Sequence, residues 1–289
     1  MDNVTPTDLV EATTAAAVKK AHLSATDMVL RGVMSGAILG IATSLVFVVL
    51  AQGLPAIVGA LLFPVGFVIL VLLGLELVTG NFALMPQAVA AGRITVGELG
   101  RSWFWVYLGN LIGSLGYAVL FWCAVTYAGH DDGGQLAEIT RAMATKKTIG
   151  YVAHGGAGWA TSLIKAVLCN WMVTIGTVLA FVSRSTVGKI MAMWLPITIF
   201  FAHGYEHSVV NMFVIPAGML MGADIGFSDW WLWNQIPATV GNIIGGGLFT
   251  GLALWFTHGR SQRAPTHTPA HDVAGAATDV PRLADVGSA

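Results

Sequence analysis

The residues best placed to do chemistry are Glu206 and His207, adjacent in Gly204-Tyr205-Glu206-His207-Ser208-Val209-Val210-Asn211-Met212-Phe213-Val214-Ile215-Pro216. An imidazole titrates near neutrality, at about 6.5 when unperturbed, so it can hold a proton or pair with an anion. The flanks are apolar, from Trp194 to Phe201 upstream and from Ala217 to Met221 downstream. A run this long and apolar reads as membrane-spanning. Ionisable groups at that depth are costly and face a bundle interior or a pathway. A lone core histidine more often only bonds a helix neighbour. Here the adjacent acid and an internal repeat favour a pathway.

The repeat is Gly74-Leu75-Glu76-Leu77-Val78-Thr79-Gly80-Asn81-Phe82-Ala83-Leu84-Met85-Pro86. Gly74, Glu76, Asn81 and Pro86 recur as Gly204, Glu206, Asn211 and Pro216, each pair 130 positions apart. Leu77 stands where the second stretch has His207, so one copy alone carries the imidazole. Gly109-Asn110-Leu111-Ile112-Gly113 likewise answers Gly241-Asn242-Ile243-Ile244-Gly245, and Arg31 answers Lys165.

Six apolar runs carry these motifs, at roughly 29–52, 57–91, 99–128, 158–183, 187–221 and 232–257. The second and fifth exceed the ~20 residues that one straight span needs. They are expected to be discontinuous helices, broken around Thr79-Gly80 and around His203-Gly204. Matching breaks in two halves point to a transport site, and three spans per half turn the second half upside down. The expected fold is an all-α polytopic membrane protein with six transmembrane helices in two inverted three-helix repeats, helices 2 and 5 being broken.

Thr79 at the first break offers a hydroxyl and free backbone N–H groups to an anion, or simply caps a helix. Asn170 interrupts Ala166-Val167-Leu168-Cys169-Asn170-Trp171-Met172-Val173; it fixes the tautomer of His207 or glues two helices together. Glu76 and Glu206 read as buried partners tying the broken ends along the pathway, because two bare acids would repel an anion. Phe63, Phe67, Leu77, Val78, Val173 and Phe200 are expected to line or narrow the pore, with ordinary core packing as the plainer role for any one of them.

A second pattern competes. His203-Gly204-Tyr205-Glu206-His207 fits H-x-x-E-H, which in zinc proteases sets two histidines on one face of a continuous helix. Gly204 interrupts it and no distal acidic ligand follows. An intramembrane zinc metalloprotease is therefore the alternative reading; the main one is a transporter, not an enzyme, with no cofactor or metal.

Composition agrees with a membrane protein. The 289 residues are 55% hydrophobic and 10% charged, against about one quarter charged in soluble domains, and mean hydropathy is +0.73. A net charge of −1 with no basic patch gives no case for nucleic acid. Cys123 and Cys169 lie in apolar runs, so no disulfide framework is expected. The N-terminus lacks the basic-then-apolar order of a cleaved signal peptide.

Residues 1–28 are a polar segment in which Thr5 caps a helix begun by Pro6. Its weak apolar face, Leu9, Ala12 and Ala16 widened by Val10 and Ala17, predicts a helix lying on the membrane surface. Residues 29–258 are the pore domain, and 259–289 an Ala-, Pro- and Thr-rich tail expected to be disordered. Lys19, Lys20, Arg31, Arg93, Arg101, Arg184, Lys189, Arg260, Arg263 and Arg282 fall on one side, and Arg141, Lys146 and Lys147 on the other. By the positive-inside rule both termini are cytoplasmic, in the inner membrane of the cell.

From Thr5 to Phe256 the chain resembles the formate/nitrite transporter family, whose fold is aquaporin-like. The most specific matches are Gly-Tyr-Glu-His-Ser-Val-Val-Asn-Met-Phe (204–213), Cys-Asn-Trp-Met-Val (169–173), Leu-Glu-Leu-Val-Thr-Gly-Asn (75–81), Ala-Gly-Arg-Ile-Thr (91–95) and Gly-Asn-Ile-Ile-Gly-Gly-Gly (241–247). The resemblance implies a homopentamer with one pore per subunit, a central histidine at His207, a loop threonine at Thr79 and Asn170 across the pore. It also implies an outer lysine. Ungapped counting back from Asn170 reaches His154 and an insertion at 150–158 makes it Lys147, the preferred choice. The implied substrates are small monovalent anions: formate first, nitrite next, then hydrosulfide or lactate. The cost of a bare anion in an apolar constriction, with an imidazole that titrates near neutrality, adds the expectation that they pass with a proton.

Overall fold

The computed structural model describes residues 4–260. The tail expected to be disordered lies outside the described residues from 261 on, together with Arg263 and Arg282.

Helix α1 (Pro6–Ala21) starts as the sequence predicts, with the Thr5 hydroxyl accepting from the Asp8 N–H and proline in the first turn. Its buried face is rotated from the expected one. Val10, Thr13, Thr14, Ala17 and Ala21 are buried, while Leu9, Ala12 and Ala16 are only half-buried. The reason is a polar clasp. The Gln87 amide, itself buried, donates to the Val10 carbonyl at 2.9 Å and to the Thr13 and Thr14 hydroxyls at 2.8 Å each. The helix therefore turns its threonines toward protein, and the alanine stripe is left at the margin.

Among the described residues, four helices are long and apolar enough to cross a membrane: α2 (Ala25–Ala51), α6 (Val96–Val125), α9 (Gly155–Leu179) and α12 (Phe227–Gly259). Two further passages are made of pieces. The first comprises α3 (Ala56–Leu62), α4 (Pro64–Leu72) and α5 (Val78–Ala90). The second comprises α10 (Thr186–Ala202) and α11 (Ser208–Leu220). Between α6 and α9 lie α7 (Gly134–Lys147) and the single turn α8 (Ile149–Val152). Helix α12 contains π-helical stretches at Trp231–Gln235, Gly247–Leu252 and Trp255–Gly259.

Helix α2 packs on α6, and α9 on α12, as the two tightest pairs. Glycine makes both possible. A β-carbon at Gly36 would overlap the Asn110 carbonyl oxygen and one at Gly113 that of Val33; one at Gly245 would overlap that of Val167. Close backbone approach of this kind is how membrane helices pack without a hydrophobic driving force between them. It brings Asn110 and Asn242, the asparagines of the two matching motifs, to the centre of the fold.

Candidate functional site

The breaks occupy equivalent positions. Helix α4 ends at Leu72 and α10 at Ala202. Gly74 and Gly204 then take positive φ values of 66° and 62°, a conformation that costs a residue bearing a β-carbon roughly 1 kcal/mol. The second half-helices start after Leu77 and after His207. The second break lies where the sequence places it. The first does not: it covers 73–77 rather than Thr79-Gly80, and Thr79 sits in the first turn of α5. Gly80 acts in packing instead, since a β-carbon there would meet the Thr177 hydroxyl at 3.2 Å.

Each new helix start exposes orphan N–H groups that need acceptors. Asn110 Oδ1 accepts from the Val78 N–H and Asn242 Oδ1 from the Ser208 N–H, both at 2.9 Å. The amide nitrogens of the same residues hold the strands of the breaks. Asn110 Nδ2 donates to the Glu76 carbonyl and Asn242 Nδ2 to the Glu206 carbonyl, again at 2.9 Å each. The Gly-Asn-x-x-Gly match thus has two jobs, close packing and helix capping. Matching alone reveals the motif but neither job.

The carboxylates are buried ties, as expected. Glu76 takes Lys20 Nζ at 2.7 Å and Asn81 Nδ2 at 3.0 Å. Glu206 takes four donors: Lys147 Nζ at 2.9 Å, Tyr151 OH at 2.7 Å, Asn211 Nδ2 at 2.7 Å and Asn234 Nδ2 at 3.0 Å. Lys147 meets Glu206 at this break, and His154 is exposed; both line the adjoining cavity. Lys20, Tyr151 and Asn234 escape a sequence reading because each reaches its acid from a distant segment.

His207 is 2% exposed and is the N-cap of α11. Its Nδ1 lies 3.2 Å from the Val210 nitrogen, and a backbone N–H can only donate, so Nδ1 carries the lone pair. The proton of the neutral ring is then on Nε2, which donates to Thr79 Oγ1 at 3.0 Å. The tautomer is set by the chain's own backbone, not by Asn170. Asn170 Nδ2 donates to the carbonyls of Thr79 at 3.0 Å and Asn242 at 2.7 Å, bridging the two halves. Its Oδ1 is buried with no partner among the described residues.

Two cavities approach this pair. One, of about 520 Å³, is lined by Lys146, Lys147, Tyr151, Lys165, His203 and Glu206 among others. The other, of about 170 Å³, is lined by Lys20, Phe67, Gly74, Leu77, Asn81 and Thr177 among others. His207 and Thr79 line neither and stand between the two breaks. Phe63, Phe67, Leu77, Val78, Val173 and Phe200 are all buried. Phe200 stacks on the His207 ring at 5.7 Å between centroids and meets Phe63 edge-on at 5.7 Å.

The H-x-x-E-H reading fails on geometry. His203 caps the end of α10 with Nδ1 2.8 Å from the Ile199 carbonyl and is exposed, while His207 is buried and begins α11. The two imidazoles belong to different helices, and the glutamate between them is saturated by four donors.

Comparison with known proteins agrees with this arrangement. The sequence model of the family described as "Formate/nitrite transporter" matches residues 7–256. A "Probable formate transporter" of Methanothermobacter thermautotrophicus is 36% identical over 213 residues, covering 71% of this chain and 76% of that protein. "Formate channel FocA" of Escherichia coli K12 is 32% identical over 222 residues, covering 70% and 74%. The solved structure described as "Pentameric formate channel with formate bound" superposes with a TM-score of 0.67 at 29% identity, covering 81% of this chain and 97% of that one. On the matched span, the paired broken helices and these relatives, the chain belongs to the formate/nitrite transporter family.

Proposed function

We propose that each subunit of a homopentamer forms a pore for small monovalent anions, formate first and nitrite next, which cross with a proton. The observation that carries this reading is the His207–Thr79 bond, flanked by one cavity lined by Lys147 and Glu206 and another lined by Lys20, the partner of Glu76. A bare anion in so apolar a passage faces an idealised cost on the order of 20 kcal/mol. Passage as the neutral acid removes most of it.

The tautomer bears on where the proton is acquired. In the neutral ring Nδ1 holds the Val210 N–H and Nε2–H is given to Thr79. A proton added at Nδ1 would set N–H against N–H and break the cap of α11. His207 in this state is no acid toward the substrate. The anion therefore takes its proton from hydronium supplied by the bulk at the cavity, which leaves only water behind, before entering. The Thr79 hydroxyl, accepting from His207, is free to donate to the acid's carbonyl oxygen, and Asn170 Oδ1 is an unpartnered acceptor on the same side chain that holds the Thr79 backbone. The buried phenylalanines and valines narrow the path and exclude water around this relay.

The Lys147 cavity opens outward and the Lys20 cavity inward, with both termini cytoplasmic in the inner membrane. Residues 29–258 form the pore and α1 belongs to the inner mouth. Uptake of labelled formate and nitrite into proteoliposomes at several pH values tests the reading, with wild type beside His207→Asn. Saturable uptake that rises at low pH and changes sharply in the variant is expected. Electrogenic anion uptake with no proton movement would sink the neutral-acid route.

A further inference from the structure

The lysine nearest the pathway is not free. Lys147 is 11% exposed at its side chain and 2.9 Å from Glu206 Oε2, whose other donors are neutral. The pair contributes no net charge to the cavity it borders. Two other lysines line the same cavity, Lys146 and Lys165. Among the described residues neither has a carboxylate within ion-pair distance. Lys165 Nζ lies 5.7 Å from the centroid of the Tyr151 ring, the ring whose hydroxyl holds Glu206. An aromatic face steadies an ammonium without neutralising it. The opposite cavity has Lys20 as its lysine, and Lys20 is paired with Glu76. Among the described residues that line them, the two cavities therefore differ in net charge although their breaks match.

We propose that Lys165 and Lys146 form the anion-capture site of the larger cavity, while Lys147 is a neutralised strut that braces the α11 break. The ligand class is a small monovalent oxyanion, and the identity of that anion rests on the pore reading above. The capture site raises the anion's local concentration ahead of protonation, and it makes entry from this side the more salt-sensitive.

The test reads the cavity's potential without relying on transport. Thr161 is exposed and lines the cavity. Thr161→Cys in a Cys123→Ser background, in the intact oligomer, is reacted with an anionic and a cationic methanethiosulfonate. A unit charge about 7 Å away in water changes a local ion concentration about threefold. Lys165→Gln and Lys146→Gln should each slow the anionic reagent about threefold and speed the cationic one about threefold. The charge-conserving pair Lys147→Met/Glu206→Gln should leave the ratio of the two rates unchanged. In the same proteins the KM for formate should rise about threefold on Lys165→Gln. The proposal is overturned if neither single lysine variant moves the ratio, or if the charge-conserving pair moves it as much as Lys165→Gln does. Wild type that passes neither formate nor nitrite, yet shows the expected ratios, would defeat the pore reading and leave the charged cavity standing.

Discussion

Replacing Lys147 with Met strands a carboxylate. Glu206 is 2% exposed and loses Lys147 Nζ at 2.9 Å, its one cationic donor among the described residues. Removing one partner of a buried pair costs about 3–5 kcal/mol. Three neutral donors remain on Glu206, from Tyr151, Asn211 and Asn234, and hydrogen bonds to a charged group offset part of the loss. The lower end, about 3 kcal/mol, is the expected cost. At about 2 °C per kcal/mol for a chain of this size, the melting temperature should fall by roughly 6 °C. Lys147→Met/Glu206→Gln removes both charges and keeps a side chain of the same length to accept from Tyr151. It should recover about 2 kcal/mol of that loss. Thermal unfolding of the detergent-purified oligomer, followed by size-exclusion fluorescence for the wild type, both single variants and the double, gives the full cycle. A Lys147→Met protein melting within a degree of wild type, or a double variant no more stable than Lys147→Met, would refute the account of Glu206 as a charged tie.

Gly245→Val should be the most damaging small change in the α9–α12 pair, because its β-carbon would overlap the Val167 carbonyl oxygen. Yield of intact oligomer should drop severalfold, in line with an overpacking cost of about 1–3 kcal/mol. Gly204→Ala meets nothing nearby and should cost only the φ of 62°, roughly 1 kcal/mol, visible as a melting shift of about 2 °C. Gln87→Leu removes three hydrogen bonds to α1 and should raise amide hydrogen exchange in residues 6–21 at least tenfold while α5 stays protected. His207→Asn keeps a side chain able to cap α11, so any transport change it causes should come with a melting temperature within about 2 °C of wild type.

Much of this protein is legible in one dimension because membrane helices announce themselves by length and hydropathy. The repeat adds more. Glycine, glutamate, asparagine and proline at a constant spacing of 130 positions locate both breaks approximately and isolate His207 as the residue without a twin. The second break is found where predicted because Gly204 and the adjacent polar residues fall together. The first is misplaced by several residues because Thr79-Gly80 looks like a breaker, whereas the helix is started by a cap from Asn110, 32 positions away. That acceptor decides the boundary, and local propensity does not see it.

The partners of the acids were decided in three dimensions. Lys20 and Lys147 reach Glu76 and Glu206 from helices 56 and 59 positions distant, and a lysine on a polar helix gives no sign that its charge will be spent. The tautomer of His207 depends on which ring nitrogen meets the Val210 N–H, a matter of one N-cap rotamer. The face that α1 buries is set by Gln87, more than 70 positions on. Sequence alone determined that the chain spans a membrane in two related halves, with an imidazole beside one break, because hydropathy and spacing are properties of neighbours along the chain. Only the tertiary structure decided which charges cancel, where each half-helix begins and which way the imidazole points. Those depend on single hydrogen bonds between segments that meet only when the chain is folded.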